Sequence, residues 1–150
     1  LIDARKFTEQ MEADLMTENN STTNEETAAP LSPEQLKYDH AGLIPAVIQD
    51  DRTGAVLMVA YMNRESLRRT LESGRACFWS RSRSQYWLKG ESSGNFMSVR
   101  QIRADCDADT LLVKVIPEGD GVACHTGRYS CFYRPLREGE GAGGERPDVD

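Results

Sequence analysis

Apolar residues in this chain come in short, branched-rich runs, and the polar and glycine-containing breaks between them predict the fold. Leu43–Ile48 and Ala55–Met62 are two such runs, separated by the turn sequence Asp50-Asp51-Arg52-Thr53-Gly54, and they predict a β-hairpin. Asn63 is a good N-cap and Gly74 a good C-terminal stop, so a helix is predicted from Asn63 to about Glu72. Arg75–Ser80 and Tyr86–Leu88 read as aromatic-rich strands around the polar link RSRSQ. Past an irregular loop bracketed by Gly90 and Gly94, Phe96–Ala104 and Leu111–Ile116 read as further strands, the second alternating through Leu112, Lys114 and Ile116. Pro117-Glu118-Gly119-Asp120-Gly121 is a turn, and Tyr129–Arg134 is the last predicted strand. One principal helix among several strands predicts an α+β domain, mainly antiparallel β.

The two ends have a different character. Residues 1–37 read as an N-terminal extension: Phe7, Met11 and Leu15 have the spacing of a short amphipathic helix, but TENNSTTNEETAAP from Thr17 to Pro30 predicts disorder. Ser32-Pro33-Glu34-Gln35 has a capping residue, Pro at the first helical position and Gln three residues after the cap, which predicts a helical turn. The compact domain is expected over 38–137, followed by a flexible, acidic, Gly-rich tail over 138–150.

A length of 150 residues suits one domain with a real core. The longest apolar run, Ala55–Met62, is too short to span a bilayer, so no membrane partner is expected. No basic stretch followed by an apolar one marks a secretory signal near Leu1, and the expected location is the cytoplasm. The net charge of −6 is unevenly spread: residues 1–32 carry −5, residues 139–150 carry −3, and the stretch between them carries +2. A mildly basic centre suits a small anionic substrate and lacks the dense basic face that a nucleic acid needs.

Four cysteines stand at 77, 106, 124 and 131. Without a secretory signal, metal binding or catalysis in a reducing compartment is a better reading than disulfides. Cys106, Cys124 and Cys131 are spaced C-x17-C-x6-C, so three thiols can ligate zinc and leave one position open for an acidified water. His125 could close that site as a fourth ligand, which would make a zinc-stabilised interaction module. It could equally act as an acid–base group beside the metal. Cys77, in an aromatic strand, reads as a buried thiol, and His40 as a surface residue.

Asp105, Asp107 and Asp109 form D-x-D-x-D. In an extended segment the three carboxylates share one face, and hard oxygen ligands suit Mg²⁺. A calcium loop of the EF-hand type is disfavoured, because position 110 is Thr where Gly is required and an apolar pair follows. Arg81 and Arg83, interleaved with serines, and Lys89 in WLKGESSGN are candidate phosphate ligands. Trp79 and Trp87 read as core residues. A hairpin about Gly119 would bring Cys106 opposite Cys131 within one chain.

The runs GLIPAVIQD, VLMVAYMN, FWSRSR, WLKGESSGN, DCDADTLL and ACHTGRYSCF resemble, in order, the motifs of the phosphoribosyl-AMP cyclohydrolase family over residues 38–136. The resemblance implies a hydrolase of histidine biosynthesis that opens the purine ring of 1-(5-phosphoribosyl)-AMP at N1–C6, by attack of a zinc-bound hydroxide on C6. It implies zinc on Cys106, Cys124 and Cys131, Mg²⁺ on Asp105, Asp107 and Asp109, and His125 in proton transfer. It also implies an intertwined homodimer in which Cys106 meets Cys124 and Cys131 of the partner, in conflict with the single-chain hairpin. A zinc hydrolase of another cyclic amidine is the alternative within the same chemistry. Met97 stands where Gln is expected after SGN, and Cys77 where a Tyr is commoner.

Overall fold

The computed structural model describes residues 29–137. Six strands form one mixed sheet: β1 Ile44–Asp50, β2 Val56–Met62, β3 Cys77–Ser80, β4 Gln85–Leu88, β5 Met97–Ala104 and β6 Leu111–Pro117, in the order β4-β3-β2-β1-β6-β5. All neighbours are antiparallel except β1 and β6, which run parallel from Ala46 beside Leu111 to Asp50 beside Val115. The α+β expectation holds, with one parallel pair at the centre. The one α-helix among the described residues, α1 (Arg64–Ser73), packs against β2 and β3.

Local chemistry explains the elements. Asn63 caps α1 by accepting the Ser66 N–H at 2.8 Å, while the Ser66 hydroxyl oxygen accepts the Asn63 N–H at 2.8 Å. The helix stops at Gly74, in the left-handed region at φ 73°. Leu67 and Thr70 face the sheet, and the Thr70 hydroxyl joins the Ser66 carbonyl to the backbone of Cys77, tying helix to β3. Ser32–Gln35 makes the predicted single turn, with the Ser32 N–H donating to the Gln35 side chain. In β1, Ile44, Ala46 and Ile48 alternate into a core shared with Leu57, Met62, Phe78, Met97, Val113 and Val115. Phe78 has no exposed surface and by itself contributes about 2–3 kcal/mol of burial. Cys77 is buried as expected, and Met97, the residue in place of Gln, lies wholly in the core.

Three expectations are corrected. Tyr129–Arg134 forms no strand: the segment lies against the start of β2, away from its pairing with β3 at Tyr61, where the Cys131 N–H reaches the Leu57 carbonyl at 2.8 Å, but side chains take most of its other bonds. No hairpin forms about Gly119 among the described residues, because β6 ends there and the chain turns back to Asn95. Asp105–Asp109 is not extended: it is the turn of the β5–β6 hairpin, closed by Asp105 N–H to Thr110 carbonyl at 3.0 Å, with Ala108 at φ 61°. The helix and disorder expected before Pro30 fall largely on residues 1–28, and the tail expectation on 138–150, all outside the described residues.

A bulge in the first hairpin prepares the site. Ile48 pairs with Met58 and Gln49 with Val56, so Leu57 is the extra residue, and its carbonyl is the one that receives Cys131. Gly90, at φ 91°, is hemmed in by backbone: a Cβ there would overlap the Asn95 carbonyl and the Phe96 nitrogen. Gly54 also has positive φ but open space around it. Gly54→Ala is therefore expected to cost about 1–2 kcal/mol, the left-handed penalty alone. Gly90→Ala is expected to cost clearly more, because backbone must move, and urea unfolding of the two variants checks the order.

Candidate active site

Residues 123–131 carry the chemistry, and the fold holds them from two sides. Within the segment, the Ala123 N–H donates to the Tyr129 carbonyl at 3.0 Å and the Cys124 N–H to Arg128 at 3.1 Å, while the Gly127 N–H closes a turn onto Cys124 at 3.0 Å. Cys124, His125 and Thr126 are thus presented on a tight loop. The β1–β2 hairpin holds one side: the Tyr129 hydroxyl donates to the fully buried Asp50 carboxylate at 2.5 Å and meets Thr53 at 2.8 Å. The Ser130 hydroxyl donates to the Val56 carbonyl at 2.7 Å. From the other side, the Lys89 ammonium donates to the Ala123 carbonyl at 2.6 Å.

The loop forms one wall of a cleft of about 490 Å³. Cys124, His125 and Gly127 face Trp87, Lys89 and Gly90, with Arg83, Ser92, Ser93 and Asp120 also lining it. His125 is exposed at this wall. Trp87 is only half-buried: one side packs on Phe78 at 5.4 Å between centroids, the rest lines the cleft, so it serves both as core and as wall. Of the predicted phosphate ligands, Arg83 and Lys89 line the cleft, whereas Arg81 lies 3.9 Å over the Tyr61 ring and away from the lining. His40 is exposed, as expected.

The Cys124 and Cys131 thiols are near enough to influence each other's ionisation. The Thr126 hydroxyl, 3.0 Å from the Cys124 sulfur, is the first cause that holds the Cys124 thiol below its ordinary pKa, which favours a ligating thiolate. Cys131 is exposed as a residue, but burial around its sulfur pushes its thiol up first, and the Cys124 sulfur next. Cys106, exposed on the β5–β6 turn, does not join them: among the described residues no group of three metal-ligating atoms includes these thiols. Two thiols fit half of a zinc site, and Cys106 would have to come from elsewhere to make three.

Asp105, Asp107 and Asp109 do converge, with ligand oxygens within 4.8 Å of one another, even though the segment is a turn. The Asp105 carboxylate accepts the N–H groups of Asp109 and Thr110 at 3.0 and 3.2 Å, which orders the turn. Asp109 is pushed above the ordinary carboxylate range by the Asp105 and Asp107 carboxyls beside it. An octahedral hard cation sets its oxygens roughly 3–4 Å apart, so the donor set suits magnesium after small side-chain rotations.

Sequence reading missed Asp50, Tyr129 and Thr126. Asp50 stood at the edge of a turn-like run of polar residues; only its inward phase in β1, continuing Ile44, Ala46 and Ile48, signalled burial.

The fold and this cleft define an enzyme domain of the α+β class, with thiol, imidazole and ammonium groups gathered on one loop and the strand end facing it. The sequence pattern of phosphoribosyl-AMP cyclohydrolase matches residues 58–133. Proteins of that name are similar to most of the chain. The one from Chlorobaculum parvum is 58% identical over 107 residues, covering 71% of this chain and 77% of its own. The one from Pelotomaculum thermopropionicum is 59% identical over 111 residues (73% and 84%), and that from Ruegeria pomeroyi 58% over 111 residues (74% and 92%). The chain belongs to the phosphoribosyl-AMP cyclohydrolase family. Among the described residues no helix is long and apolar enough to cross a membrane.

The anchoring of the loop is testable at Asp50. Burial pushes its carboxyl up, but the hydrogen bonds from Arg52 and Tyr129 outweigh this, and it lies below its ordinary 3.8. Such a group stabilises the fold fully above pH 3.8, and the contribution is lost as pH falls through the lower folded-state value. Asp50→Asn is expected to lose about 1–3 kcal/mol at pH 7. The gap to wild type should shrink in acid-side unfolding curves below pH 3.8.

Proposed function

We propose that this protein hydrolyses the N1–C6 bond of 1-(5-phosphoribosyl)-AMP and so opens its purine ring, in the cytoplasm, as a step of histidine biosynthesis. The observation that carries the proposal is the cleft with Cys124, His125 and Lys89 on its walls, in a chain 58% identical to a phosphoribosyl-AMP cyclohydrolase. Ribosylation at N1 leaves C6 electron-poor, so water adds there and collapse of the adduct breaks N1–C6. His125, exposed on the cleft wall, is placed to move the protons, taking one from the water and returning one to the departing nitrogen. Arg83 on the rim is a donor for one of the two phosphoryl groups of the substrate.

We further propose that Cys124 and Cys131 hold zinc together with Cys106 of a second copy. Two findings support this: the three thiols do not converge within one chain, and Val56, Val59, Phe132 and Leu136 expose apolar surface on β2 and on the segment that carries Cys131. Bound zinc supplies a water acidic enough to ionise near neutral pH. Magnesium on Asp105, Asp107 and Asp109 supplies positive charge for phosphoryl oxygens.

Purified protein given zinc, magnesium and phosphoribosyl-AMP should produce the ultraviolet change of purine-ring opening, and no turnover under these conditions would overturn the reading. His125→Ala should keep its zinc while turnover falls by ~10²–10⁴-fold; loss of the zinc instead would make His125 a ligand.

The shared site has its own test. Cys106→Ala and Cys124→Ala should each be inactive. After subunit exchange about half the dimers are mixed and each rebuilds one intact site, so roughly a quarter of wild-type activity should return. A mixture that stays inactive would place every site within one chain.

A further inference from the structure

Lys89 has an unusual setting for a residue expected to grip a phosphate. Its relative exposure is 8%, and its ammonium is held by a backbone carbonyl, that of Ala123, at 2.6 Å. Among the described residues no carboxylate lies within ion-pair distance of it. A buried ammonium without a counter-ion is costly, so the fold must gain something from its charge at this place. The position is also well fixed. The Lys89 N–H donates to the Ala76 carbonyl at 3.1 Å, the ammonium lies 5.5 Å from the Trp87 ring centroid, and Gly90, which has no room for a Cβ, follows immediately.

What the ammonium faces is the loop that carries the thiols. Ala123 precedes Cys124 and His125, and a bond to its carbonyl orients the peptide from which Cys124 departs. The clamped carbonyl belongs to the residue just before Cys124, and Lys89 and Cys124 line the same cleft. Zinc on three thiolates carries a net negative charge, and a fixed cation in the cleft that Cys124 lines offsets part of it.

We propose that Lys89 is a positioning residue for the thiol centre: its ammonium clamps the Ala123 carbonyl, aims Cys124 and His125 into the cleft, and serves as counter-ion to the thiolates. This rests on the reading that these thiols hold zinc. Substrate phosphate is left to Arg83 and to the Ser92–Ser93 loop across the cleft.

The test is Lys89→Met, a neutral side chain of similar length, in the full chain. Zinc affinity, measured by competition with a chromophoric chelator, should fall about 10–100-fold. In cobalt-loaded protein the thiolate-to-metal absorption should shift, and with zinc saturating, kcat should fall while KM for phosphoribosyl-AMP stays within about twofold. A variant with wild-type zinc affinity, an unchanged cobalt spectrum and a raised KM would overturn the proposal and make Lys89 a substrate ligand. If Lys89→Met does not fold, the ammonium resonance of Lys89 in the wild-type protein decides. It should shift when zinc is added and stay in place when AMP is added; the opposite pattern overturns the proposal. A wild-type protein with no zinc affinity overturns the zinc reading itself, an outcome visible before any variant is made.

Discussion

Asp50 is a carboxylate with no solvent-exposed surface at the end of the central strand β1, and the candidate site depends on how the fold satisfies it. Its oxygens accept from the Arg52 backbone and guanidinium and from the Tyr129 hydroxyl. Arg52 is local to the carboxylate and more than half exposed, so Tyr129 is the partner that comes from a distant part of the chain. Satisfying the buried charge therefore requires that a residue 79 positions later be brought to the tip of the first hairpin. Tyr129 lies between Cys124 and Cys131, so the same requirement delivers both thiols. The bulge at Leu57 works in the same direction, by turning a carbonyl outward for the Cys131 N–H.

The cleft opposite is built from a different region. β4 ends at Leu88 and runs into Lys89 and Gly90, and the close approach of Gly90 to Phe96 folds the 90–95 loop back so that Ser92 and Ser93 join the lining. Two backbone regions with no direct sequence relation thus meet at one hydrogen bond, Lys89 to Ala123. A cleft formed this way brings an imidazole, the Cys124 thiol, an ammonium and an indole face within one volume of about 490 Å³, which suits a flat heteroaromatic ring with anionic ends. The carboxylate triad sits apart on the β5–β6 turn, so within one chain the two donor sets do not share a wall.

Much of this was legible along the chain because it is local. The first hairpin, the Asn63 cap, the Gly74 stop and the strands near 77, 85, 97 and 111 follow from apolar periodicity and turn chemistry, both of which act over a few residues. The aspartates converge for a local reason too, though a different one from that expected: a turn with Ala108 at positive φ gathers side chains that alternation would have set along a strand. The predicted strand at Tyr129–Arg134 failed because its residues have strand propensity but their hydrogen bonds are taken by side chains and by a bulge carbonyl that no local pattern reveals.

The sequence by itself determined which residues could do chemistry: three spaced thiols, a neighbouring imidazole, a triad of carboxylates, and basic residues among serines. Tertiary structure alone decided which of them meet. Burial of Asp50, the parallel pairing of β1 with β6, and the reach of Lys89 to Ala123 all join residues far apart in sequence. Such contacts depend on how strands stack and on where a buried charge finds its partners, and these are properties of the whole sheet that no short window of sequence contains.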